Sequence, residues 1–163
     1  MIKKCSILFG VLLVASASFA VEVEIDSATQ QLTRRIFMLE TALAPANPKA
    51  VASAWANAEK SRNGAVQYML MCPDLQKENV NNLDELNWVT GVSSPWITNV
   101  KIISQKKNQT TWKFDIQYTF STGGGSAGSA VDHIDVVHVN DEANLAQKYC
   151  ISQFGYLSPA SML

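Results

Sequence analysis

From Trp112 to Phe120 apolar and polar side chains alternate without a break. Trp112, Phe114, Ile116, Tyr118 and Phe120 stand against Lys113, Asp115, Gln117 and Thr119. A period of two puts every second side chain on one face, so this segment predicts a strand with one apolar, aromatic face and one wet face. Ile97 to Ser104, Val131 to Val139 and Lys148 to Phe154 predict three more strands. Polar turns separate them at 105–109 and 140–144, and a Gly-Gly-Gly-Ser-Ala-Gly hairpin tip lies within 122–129. Upstream of Trp96 the period is 3.6. Leu32, Ile36, Leu39 and Leu43 recur on one stripe, with Arg34, Arg35 and Glu40 off it, which predicts a helix over about 28–43. Ser27 and Gln30 supply a capping-box signature ahead of it. Val21 to Ile25 reads as a short extended lead-in.

Ala44-Pro45-Ala46-Asn47-Pro48 ends that helix and starts the next, with Asn47 as cap and Pro48 where its missing N–H costs nothing. The second helix, about 48–61, carries Val51, Ala54, Trp55 and Ala58 on one face. Arg62-Asn63-Gly64 interrupts it, and a short helix follows over about 65–71. Cys72-Pro73-Asp74 predicts one further helical turn, and Asn79 to Asn87 a loop with a helical turn. Helices first and an antiparallel meander second make the chain α+β, with helices on one face of a curved sheet of about four strands.

The N-terminus reads as an address. Lys3 and Lys4 precede the apolar run Ile7 to Val14, and Ser18 and Ala20 provide the small residues of a cleavage site. This is the pattern of a secretory signal peptide over residues 1–20, leaving a product in the periplasm or outside the cell. The organisation expected is therefore signal peptide 1–20, arm and helix 21–47, α+β domain 48–155 and loose tail 156–163. No later stretch is apolar enough to span a bilayer.

With 163 residues, 47% hydrophobic and 17% charged, the chain is one ordinary domain, neither collagenous nor disordered. The net charge of −1 falls to −3 once Lys3 and Lys4 are removed, which offers no footprint for nucleic acid. Cys72 and Cys150 remain after cleavage. In an oxidising compartment they can pair, closing a loop of about 79 residues and adding about 4.5 kcal/mol by chain entropy. The alternative is two separate thiols, and geometry decides between them.

Ala54-Trp55-Ala56-Asn57-Ala58, Arg62-Asn63-Gly64-Ala65-Val66-Gln67-Tyr68, Gly91-Val92-Ser93-Ser94-Pro95-Trp96 and Lys148-Tyr149-Cys150-Ile151-Ser152 together resemble small exported bacterial domains of the nuclear transport factor 2-like superfamily. The likeness covers about 48–154. Tyr149 stands where tryptophan is usual, and Cys72 where serine is common before Pro73. The resemblance implies a cone: helices in the concavity of a strongly bent sheet, with a pocket at the open end. It also implies either polyketide cyclase- or ketosteroid isomerase-like catalysis or simple binding, often with dimers across the sheet.

The acid/base candidates are His133 with Asp132 and Asp135, in the stretch that also holds the other histidine, His138. On a strand His133 and Asp135 share one face and Asp132 the other. The bland alternative is a polar strand face in water. No Cys/His cluster, third metal ligand, phosphate-cradling loop or nucleophile elbow accompanies them, so neither metal nor cofactor is expected. Trp55, Tyr68, Trp96, Trp112 and Tyr118 are the aromatics expected to line a pocket. The reading is an exported, non-catalytic binding or protein-interaction domain for a small apolar ligand or peptide, with a homodimer through the sheet. Its rivals are a small isomerase or cyclase using His133, and a secreted effector or accessory factor.

Overall fold

The computed structural model describes residues 15–139 and 148–157, with side chains described from Ser27 onward and up to Gly155. The apolar run of the expected signal peptide, the 140–144 turn and the last six residues of the expected tail lie outside the described residues. The chain divides into two compact units, one up to Leu39 and one from Glu40 onward.

The first unit holds most of α1, Ala15–Leu43. It is longer than the sequence predicts: the 21–25 segment is helical, and Ser27 lies inside the helix rather than ahead of its first turn. The reason is the absence of any Gly or Pro between Ala15 and Leu43, so no breaker interrupts the ladder.

In the second unit α2 spans Pro48–Lys60, α3 Gly64–Leu70 and α4 Pro73–Glu85. Asn47 caps α2 by accepting from the Ala50 N–H at 2.9 Å, and Asn63 caps α3 through Val66 at 3.1 Å. The loop with a helical turn expected over 79–87 is mostly the continuation of α4. Asn79, a residue that often competes with helix, instead donates its side-chain amide to the Leu75 carbonyl at 2.8 Å, and Leu83 is buried. The helix stops only where Asn87 and Trp88 take left-handed φ values of 49° and 61°.

The sheet is a four-stranded antiparallel meander in the order β1-β2-β3-β4: Trp96–Asn108, Thr111–Thr122, Gly125–His138 and Tyr149–Leu157. The strands run longer than predicted because each pairs to its ends. The expected hairpin tip shrinks to Gly123-Gly124, with Thr122 opposite Gly125. Register shifts after Ile97, Ile102, Phe120 and Asp135 bend the strands.

The inner sheet face packs on the helices. Phe114, Ile116, Tyr118, Ile134, Val136 and Ile151 meet Val51, Ala52, Trp55, Ala56, Leu70 and Met71 in one buried cluster. Cys72 and Cys150 form a disulfide with sulfurs 2.06 Å apart. Beside it the Cys72 N–H donates to the Ile151 carbonyl at 2.8 Å, so the α3–α4 junction is tied to β4 twice.

Candidate functional site

Of the cavities beside α2, two of about 250 and 120 Å³ share Glu59, Gly91 and Ile97 in their linings. The larger is bounded by Trp55 and Phe154 on one side and by α4 on the other, with Gln67 and Thr90 between. The smaller lies against Trp96, Tyr118 and Phe120. Glu59 sits on the shared wall because it is one helical turn beyond buried Trp55 on the same face of α2.

The other wall is a loop that must be held in place, and two glycines and one arginine do it. The turn after α2 puts Arg62 at φ 59°, and its Nε donates to the Thr90 carbonyl at 2.9 Å while its guanidinium also reaches Gly91 at 3.2 Å. The Gly64 N–H donates to the Trp88 carbonyl at 2.9 Å. A Cβ on Gly64 would lie 2.8 Å from that same oxygen, so only glycine allows the approach. Gly91 itself takes φ 68°.

Burial governs the chemistry of the site. Desolvation pushes the Glu59 carboxyl up to about 7, reinforced by the nearby Asp132 charge and opposed by the Tyr118 hydroxyl and the Trp55 indole. Asp132, only 2% exposed, faces the core opposite Ile116. Desolvation raises it to about 6, although it accepts from the His133 N–H at 2.8 Å. Trp55 Nε1 is buried without a close hydrogen-bond partner, yet lies near enough to both carboxyls to favour their charged forms. Two acids raised to about 7 and about 6 thus stand behind an aromatic wall. Among the described residues no lysine, arginine or histidine forms an ion pair with Glu59.

The histidine pair expected from the sequence lies elsewhere. In register, Asp115 opposes His133 and Lys113 opposes Asp135, all four on the sheet face away from the helices. His133 Nδ1 lies 2.8 Å from Asp115, its Nε2 lies 2.8 Å from Asp135, and Lys113 Nζ lies 2.7 Å from the second Asp135 oxygen. His133 and Asp135 do meet, despite their separation along the strand, but not in the cavity. Asp132 is on the opposite face from both. Among the described residues no group of three or more His, Cys, Asp or Glu is placed to hold a metal, and no helix is long and apolar enough to cross a membrane.

The expected pocket aromatics divide. Trp55 lines the larger cavity, and Trp96 and Tyr118 the smaller. Tyr68 instead packs edge-on against Trp88 at 5.4 Å, lining neither cavity. Trp112 packs against Tyr149 at 5.6 Å with Lys107 over its ring, far along the sheet. Glu59 escaped the sequence reading. The available signal was its spacing of four from Trp55, which makes it a charge at the margin of a buried helical face.

No family model matches the chain, and no curated protein matches it in sequence. Among solved structures it is similar to a SEC-C motif containing protein from Rhodopseudomonas palustris, at 12% identity over 69% of this chain and 80% of that one, with a TM-score of 0.48. A SEC-C motif containing protein from Psychrobacter arcticus gives 12% identity over 74% of this chain and 63% of that one, with a TM-score of 0.49. A periplasmic fragment of TraM gives 14% identity over 64% and 90%, with a TM-score of 0.32. The resemblance to the nuclear transport factor 2-like superfamily is corrected: no family model matches the chain, and the solved structures it is similar to include two SEC-C motif containing proteins. The physical reason lies in where the resembling residues fall. Trp55 and Ala56 are core, Arg62 and Gly64 pin a loop, and Gly91 turns it. Such positions record packing needs that unrelated α+β chains share.

Proposed function

We propose that the protein is an exported, non-catalytic binding domain whose larger cavity takes a small ligand with an apolar body and one basic nitrogen. The observation that carries this reading is Glu59, a carboxyl raised to about 7 by desolvation that lines the same cavity as Trp55 and Phe154. A protonated amine placed there would supply the cation that the half-buried carboxyl lacks and would lie against aromatic rings that favour it. Gln67, Asn79, Asn82 and Thr90 add polar groups able to fix its orientation. Export is supported by the signal pattern of residues 1–20 and by a disulfide, which persists in oxidising compartments.

Calorimetric titration at pH 8 with phenethylamine and with its neutral isostere 2-phenylethanol tests this. The amine should bind at least about tenfold more tightly, a difference of about 1.4 kcal/mol. Glu59→Gln should erase that preference. Equal binding of the two probes, or a preference that survives Glu59→Gln, would overturn the proposal.

A second reading keeps acid/base catalysis but moves it from His133 to Glu59. A carboxyl titrating near the working pH inside a cavity is suited to proton transfer. Substrate turnover that follows a group titrating near 7 and vanishes in Glu59→Gln would favour this reading over binding alone.

A further inference from the structure

The stripe Leu32, Ile36, Leu39, Leu43 has spacings of four, three and four, which is the 3.5-residue repeat of a coiled-coil seam. All four side chains are between 46% and 65% exposed on a continuous helix. With Ile36 at a and Leu39 at d, Leu32 is the preceding d and Leu43 the next a, and by sequence Ile25 is a further d. A β-branched residue at a with leucine at d favours two parallel strands. The flanks agree. Arg35 falls at g and Glu40 at the following e, five residues on, the pair that faces across a parallel dimer. By symmetry each seam would carry two such opposite-charge contacts around Ile36 and Leu39.

We infer that α1 is a dimerisation helix, and that a second copy of this chain covers its apolar stripe in a parallel two-stranded coiled coil. The outer sheet face is a poorer seam. It presents Lys113, Asp115, His133 and Asp135, already paired with one another. This inference does not depend on what the cavity binds.

Sedimentation equilibrium on the full chain, as the cell processes it, is the test. The protein should show a concentration-dependent monomer–dimer equilibrium. Ile36→Lys with Leu39→Lys should leave only monomer, with an unchanged near-ultraviolet spectrum. Arg35→Glu should weaken the dimer by about fivefold or more, because it turns two attractions into repulsions. Adding Glu40→Arg to Arg35→Glu should restore it. An antiparallel pair would not respond in this way. The inference is overturned by a monomer at all concentrations, by a trimer or larger, or by a dimer that survives the double lysine variant. A monomer that instead sediments with anionic lipid vesicles would overturn it too, giving the stripe to a membrane surface.

Discussion

Asp132 and His133 are chain neighbours that sit in different chemical surroundings. Asp132 points toward the helices, where burial raises it to about 6 beside Glu59. His133 points the other way, into a hydrogen-bonded chain running Lys113–Asp135–His133–Asp115. Asp135 is itself only 7% exposed, yet it is met by the side chains of a lysine and a histidine, whereas Asp132 has backbone N–H donors, the Trp55 indole and the nearby acid Glu59. Burial therefore does not distinguish the two faces; the presence of a compensating cation does. The outer face is electrostatically complete on this chain. The inner one holds acids whose charged forms would gain from a cation, and that difference makes the cavity the place to look for a ligand.

The largest expected effect separates the faces mechanically. The disulfide ties α4, a wall of the cavity, to β4, while the β2–β3 ion pairs do not depend on it. Cys72→Ser should cost roughly 4 kcal/mol in urea denaturation, by the entropy of opening a loop of this length. A loss well below about 1 kcal/mol would show that the wall is held by packing alone.

Next comes the half-buried acid of the cavity wall. Unfolded, Glu59 loses its proton near 4.5; folded, it keeps it to about 7. The folded state therefore binds more protons between those values, so stability falls as pH rises through that window and levels off above it. Asp132 acts in the same sense between 3.8 and about 6. At about 1.4 kcal/mol for each pH unit of displacement, Glu59→Gln should stabilise the protein by up to roughly 3 kcal/mol at pH 8 and by little below pH 4.5. Urea denaturation of both proteins from pH 4 to 8 checks this. Parallel pH profiles would place Glu59 in water.

Gly64→Ala should cost about 1–3 kcal/mol, since the new methyl meets the Trp88 carbonyl and the tip of Leu83 rather than space. It should also shift tryptophan fluorescence, because Trp88 follows the loop. An alanine variant as stable as the parent would deny that this contact fixes the cavity wall.

The smallest effect belongs to the outer face. His133→Ala removes two contacts but leaves Asp135 its lysine, so the loss should be about 1 kcal/mol, shrinking in 1 M salt. It should leave amine binding untouched. A loss of binding in this variant would break the division between the two faces.

Much of the fold was legible in the pattern alone. Alternation along 112–120 marks both faces of β2 because a strand's side chains obey a strict period. Asn47 and Asn63 mark helix starts because a cap is a local hydrogen bond. The continuation of α4 was hidden by its polar residues, and that of α1 by a short alternating stretch. Both were decided by the absence of a breaker rather than by propensity. The acid/base candidates were only half legible. Strand parity correctly split Asp132 from His133 and Asp135, but could not say which side faced the helices.

The sequence by itself determined the α+β order, the amphipathic faces and the presence of Cys72 and Cys150 as residues able to pair, because these follow from local geometry and composition. The tertiary structure alone decided that Cys72 meets Cys150, that Asp115 and Lys113 complete the histidine network, and that Glu59 joins Asp132 behind Trp55. Those pairings connect residues far apart in the chain, and only the register of the strands and the seating of α2 on the sheet set the distances on which bonding and desolvation depend.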